Sequence, residues 1–210
     1  MSLVVGLFAN GISLRGSGAP IIFATGLCNV MPSGGYSSLL NLLEKNFSVL
    51  TCDSWSALGP KRLREISDTY FAGEKFGYIG HSSLVPSLLS FELIDRVILL
   101  DPAWFPMGFD LQKMRFVSRS IHLSKPILVI KAGYSSKAQV PFIPKGFDLK
   151  VVNADTVVFD EVGHADLLDD AFASICHWMG IQGTAPLWTA RVTRRQYRKD
   201  VVNQAIHFFL

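Results

Sequence analysis

With 210 residues, 49% of them hydrophobic and 18% charged, the chain is sized for one well-packed domain with at most a small appendage. A net charge of +3 makes no general case for nucleic-acid binding, but it is unevenly placed: Arg191, Arg194, Arg195, Arg198 and Lys199 against Asp200 give +4 after Ala185, leaving 3 − 4 = −1 for the rest. The cysteines Cys28, Cys52 and Cys176 are odd in number and lack ligand spacing, which excludes a disulfide frame and a zinc site and points to reduced, packed thiols.

The opening "LVVGLFANGISLRG" reads as a short β-hairpin turning at Asn10-Gly11. It has no basic lead or long apolar run of a signal peptide, and no stretch reaches the roughly 20 apolar residues of a membrane span, so a soluble, cytoplasmic protein is expected. Short β-branched runs bounded by turn residues follow, the pattern of buried parallel strands. They fall at Pro20–Thr25, Phe47–Cys52, Lys75–Gly80, Arg96–Asp101, Pro126–Ala132 and Asp155–Val162. Helical spacing lies between them: Tyr36, Leu39, Leu40, Leu43 and Phe47 share one stripe, and Leu84, Leu88, Leu89 and Phe91 or Glu92 another. "ADLLDDAFASICHWMG" reads as one helix stopped by Gly180. The expected fold class is α/β: a single, mainly parallel sheet with helices on both faces. Residues 1–183 make up this domain and residues 184–210 a basic, amphipathic C-terminal tail, with "GIQGTAPLW" between them.

In such folds working residues gather at the C-terminal ends of strands. "KFGYIG" ends at His81-Ser82, "RVILLD" at Asp101, and "DTVVFDEV" at Gly163-His164. A serine hydroxyl holds its proton too tightly to attack at neutral pH. An imidazole must remove that proton, and a carboxylate must orient the imidazole and stabilise its charged form. Ser82, His164 and Asp101 offer those three chemistries at one sheet edge. The bland alternatives stay beside them: Ser82 as a helix N-cap, His164 as a loop histidine, Asp101 as a turn cap before proline.

The order Ser, Asp, His resembles the α/β-hydrolase superfamily, in its serine esterase and lipase-like branch. The elbow reads Gly80-His81-Ser82-Ser83-Leu84, "PIIFATGL" is similar to the strand and turn that supply part of an oxyanion hole, and "FDEVGHADLLDDAFASICHWMG" is similar to the family's last third. The likeness runs from about Leu3 to Gly180. Leu84 replaces the elbow's last glycine, and the turn Gly133-Tyr134-Ser135-Ser136 carries no carboxylate where many members place their acid. "ILLDPAWFP" instead resembles the segment that bears the acid in pancreatic-lipase-like members, which makes Asp101 the candidate.

The resemblance implies a small hydrolase of a carboxylic ester or thioester, without metal or organic cofactor. Backbone N–H groups of Ser83 and Leu27 would hold the oxyanion. His81 either contacts substrate or simply packs, and Trp104 and Phe105, with Met107 and Phe109, either line a pocket or belong to the core. Asp53 reads as a loop anchor, and Asp166 and Asp169 as charge at a helix N-terminus. Only 24 residues separate Asp101 from Pro126, too few for a separate lid domain. The tail reads as a helix docked on its own domain or on a second copy, or as a basic helix on an anionic membrane surface. The expected partner is a small-molecule ester, with no nucleic acid. The rival reading is a non-catalytic binding or scaffold protein that keeps the fold.

Overall fold

A computed structural model describes residues 12–26, 32–52, 60–83, 89–103, 109–110, 115–116, 120–134, 150–178 and 190–210. Seven strands form one sheet: β1 (Ile12–Arg15), β2 (Ala19–Ala24), β3 (Phe47–Cys52), β4 (Phe76–Ser83), β5 (Ile94–Ala103), β9 (Ile127–Ala132) and β11 (Asp155–Phe159). Two small pairs accompany it, β6 (Phe109–Asp110) with β7 (Arg115–Phe116) and β8 (Ser120–His122) with β10 (Lys150–Val152). The main sheet is ordered β1-β3-β2-β4-β5-β9-β11, and only the β1–β3 pairing is antiparallel.

The strands read as unbroken apolar runs because both faces of the sheet are covered. Along β2, Ile21 and Phe23 face one core cluster while Ile22 and Ala24 face the other. The first cluster is closed by α1 (Ser37–Leu43), α3 (Asp170–Trp178) and α4 (Arg191–Phe209); the second is closed by α2 (Pro60–Tyr70) through Leu63 and Ile66. Val97, Ile98, Leu99 and Leu100 on the central β5 are all fully buried.

Within residues 184–210, α4 packs on the same domain, as in the docked one of the readings given for this stretch. Tyr197, Val201, Val202 and Ala205 of α4 lie in the same core as β2 and α1, and Phe209 packs edge-on against Phe47 at 5.9 Å. Two expectations need correction. The single helix read from "ADLLDDAFASICHWMG" is a 3-10 turn (His164–Leu167) and then α3, because Leu168 takes an extended conformation with ψ 159°. The strand ending at Gly80 continues to Ser83, where β4 and β5 go out of register. The expected hairpin turn at Asn10-Gly11 lies outside the described residues, as do Leu84 and Leu88 of the second stripe. Among the described residues no helix is long and apolar enough to cross a membrane.

Candidate active site

The register of β4 on β5 pairs His81 with Leu100 and then Ser83 with Ala103. One residue, Ser82, is thus opposed by two, Asp101 and Pro102, which is a β-bulge at the C-terminal edge of the sheet. Both candidate residues in it have positive φ, +61° at Ser82 and +43° at Asp101, and neither is glycine. Such backbones cost of order 1–3 kcal/mol each and persist where the surrounding structure over-determines them. Here the buried strands on either side do so: Ser82 is 4% exposed and Asp101 7%.

Asp101 turns its carboxylate toward the next strand end. Oδ1 accepts the backbone N–H of Ala132 at 3.1 Å, and Oδ2 meets His164 Nδ1 at 2.5 Å. A carboxylate accepts only, so the proton of that bond sits on Nδ1 and a neutral His164 presents a lone pair on Nε2. No hydrogen bond joins Ser82 to His164 among the described residues. The two are linked through their neighbour: the His81 ring stacks on the His164 ring with centroids 4.6 Å apart.

The loop that carries His164 is held from three directions. Asp166 accepts the Gly163 N–H at 2.8 Å, closing the 3-10 turn on itself. Asp169 accepts the Ser38 N–H at 2.9 Å at the start of α1, and its own N–H donates to the Gly35 carbonyl at 2.8 Å. From α4, the buried Arg198 donates to the Leu168 carbonyl at 2.6 Å and reaches the Asp170 carboxylate at 3.4 Å. The basic stretch thus places one guanidinium inside the domain, beneath the His164 loop.

Of the two places left open for His81, contact with substrate or packing, its burial fits the second. It is 3% exposed, and both ring nitrogens have partners: Nδ1 lies 2.6 Å from the Tyr36 hydroxyl and Nε2 3.1 Å from the His164 carbonyl. Burial, and then the neighbouring His164, push its pKa down to about 3, so it is neutral near pH 7. Burial holds the Tyr36 hydroxyl above its ordinary value. Gly26 closes the group, since a Cβ there would lie 2.9 Å from His81 Nδ1, 3.0 Å from the Tyr36 oxygen and 3.3 Å from Ser82 Cβ. The turn after β2 therefore runs directly against Ser82 and leaves no room for a methyl group.

Of the two oxyanion donors expected, Ser83 is the last residue of β4, immediately after Ser82. Leu27 lies outside the described residues, and so do Trp104, Phe105 and Asp53. Gly26 itself is not a free donor, because its N–H goes to the Tyr36 hydroxyl at 2.9 Å. Among the described residues no group of three or more His, Cys, Asp or Glu side chains is set to hold a metal ion.

No protein-family model and no curated protein sequence matches the chain. Solved structures do. A meta-cleavage product hydrolase from Pseudomonas fluorescens superposes with a TM-score of 0.53 at 14% identity, covering 92% of this chain and 94% of the other. A hydrolase from Oleispira antarctica gives 0.51 at 14% identity, covering 82% of this chain and 95% of the other. The chain has the α/β-hydrolase fold. Ser82, with its positive φ, lies one residue before the end of β4.

Tyr36 is the residue that sequence reasoning passed over. Its spacing placed it on an apolar stripe, and it is indeed fully buried. A buried tyrosine hydroxyl commonly finds a polar partner, but that the partner is His81, 45 residues away, is set by tertiary contact.

Proposed function

We propose that the protein is a serine hydrolase that cleaves a carboxylic ester or thioester through an acyl-enzyme on Ser82. Ser82 Oγ attacks the carbonyl carbon as His164 Nε2 takes its proton, and Asp101 steadies the imidazolium that forms. The N–H groups of Ser83 and Leu27 stabilise the tetrahedral oxyanion. Collapse breaks the bond to the leaving alcohol or thiol, which departs with the proton from His164. Water, activated by the same imidazole, then releases the acid and restores Ser82.

The observation that carries this reading is the 2.5 Å Asp101–His164 pair, set beside a serine with φ +61° in the same bulge. A carboxylate bonded to Nδ1 leaves Nε2 basic, which is what a serine nucleophile requires. The two solved structures of similar fold are themselves named as hydrolases, which agrees with a hydrolytic reaction.

Hydrolysis of short-chain p-nitrophenyl esters by wild type, Ser82→Ala and His164→Ala tests the proposal. Turnover by wild type that both variants lose is expected. Equal background rates from all three folded proteins would replace it with the scaffold reading.

A further inference from the structure

Four segments meet in one directed chain of hydrogen bonds, two of them buried and the third partly buried. The Gly26 N–H, after β2, goes to the Tyr36 oxygen at 2.9 Å; the Tyr36 hydroxyl meets His81 Nδ1 at 2.6 Å; and His81 Nε2 meets the His164 carbonyl at 3.1 Å. The directions are forced. A carbonyl only accepts, so His81 carries its proton on Nε2. A neutral imidazole then offers a lone pair at Nδ1, so Tyr36 donates to it and keeps a lone pair for Gly26. Every polar group in the chain is matched, although Tyr36 is fully buried and His81 nearly so.

The chain's two ends give it meaning. One end fixes Gly26, where the backbone after β2 runs against Ser82. The other holds the backbone of His164, whose ring stacks on His81 with an interplanar angle of 29°. A charged His81 would present a second proton to Tyr36 and repel the imidazolium formed on His164 in each turnover. A neutral one does neither.

We propose that Tyr36 and His81 are positioning residues that lock the Gly26 backbone and the general base into one rigid frame around Ser82. The proposal rests on the ester-hydrolase reading above. It assigns to Tyr36 a mechanistic part that neither its apolar spacing nor its place just before α1 conveys. Misplacement of reacting groups by about 1 Å costs on the order of 100-fold in rate, so loosening this frame acts on turnover and leaves ground-state binding largely intact.

The test compares wild type, Tyr36→Phe, His81→Leu and His81→Gln, each as the full chain. The readouts are kcat and KM on a p-nitrophenyl ester, the rate of labelling by a fluorophosphonate, and the thermal midpoint. Tyr36→Phe removes one oxygen. His81→Leu removes both hydrogen bonds, and His81→Gln restores a donor for the His164 carbonyl. The expected result is a kcat lower by about 10- to 100-fold in Tyr36→Phe and His81→Leu, a labelling rate lower by the same factor, little change in KM, and partial recovery in His81→Gln. Wild-type kcat and labelling in Tyr36→Phe and His81→Leu, whatever the thermal midpoints, would overturn the proposal while leaving the hydrolase reading intact. A wild-type protein that neither turns over nor labels would overturn both. Nitrogen-15 imidazole shifts of the wild type add a test independent of any variant. A neutral His81 protonated on Nε2 is expected, and protonation on Nδ1 would reverse the Tyr36 bond and refute the frame.

Discussion

Acid should unfold this protein partly through His81, because an unfolded chain takes up a proton that the native state refuses. In the fold, burial and the adjacent His164 lower the His81 pKa from 6.5 to about 3. Between those values the unfolded state binds about one more proton than the native state. Stability therefore rises with pH across the window and is lost as pH falls, by about 1.4 kcal/mol per pH unit. From pH 6.5, where the unfolded histidine is half protonated, to pH 4.5 this one group removes about 2 kcal/mol, a sizeable part of an ordinary domain's 5–15 kcal/mol. Urea denaturation at pH 6.5, 5.5 and 4.5 on wild type and His81→Gln isolates the effect, since the other titrating groups are common to both. The variant is expected to start less stable, having lost part of a buried network, but its stability should fall less steeply with acid by about 1.4 kcal/mol per unit. Parallel curves would refute a neutral, buried His81.

Asp101→Asn keeps an acceptor for the Ala132 N–H but removes the charge that sets the His164 tautomer, so kcat for ester hydrolysis should drop by about 10⁴-fold with KM little changed. Near wild-type turnover would assign the acid to another carboxylate. Gly26→Ala places a methyl 2.9 Å from His81 Nδ1 and 3.3 Å from Ser82 Cβ, and should destabilise the fold by about 1–3 kcal/mol while slowing hydrolysis. An unchanged thermal midpoint and unchanged kcat together would contradict that close approach. Arg198→Met removes a buried donor from the Leu168 carbonyl and should cost about 1.5–3 kcal/mol in a urea titration. Wild-type stability would mean that α4 does not brace the His164 loop.

What the sequence conveyed depends on where each signal resides. Parallel strands were legible because a strand buried on both faces must be apolar throughout, as Val97–Leu100 are. The strand-end placement of Ser82, Asp101 and His164 followed from the same runs. The bulge was not legible, since the extension of β4 to Ser83 depends on pairing with β5. The break before α3 escaped because the spacing of "ADLLDDAFASICHW" is helical throughout. Only the tertiary use of Asp169 by α1 shows why the helix restarts at Asp170. Helix α2 is mostly exposed, with Leu63, Ile66 and Ser67 its buried residues, so its stripe was too narrow to single out. The buried place of Arg198 and the Tyr36–His81 bond rest on contacts across 30 and 45 residues of sequence, which no local pattern encodes.

Ser82 as a nucleophile is the group on which the proposed hydrolysis turns. Incubating the folded chain with a fluorophosphonate and mapping the adduct by peptide mass spectrometry asks that question without assuming a substrate. The account predicts one adduct, on Ser82, absent from Ser82→Ala and much slower to form in His164→Ala. Folded wild-type protein that forms no adduct, or forms it on another residue, would contradict it.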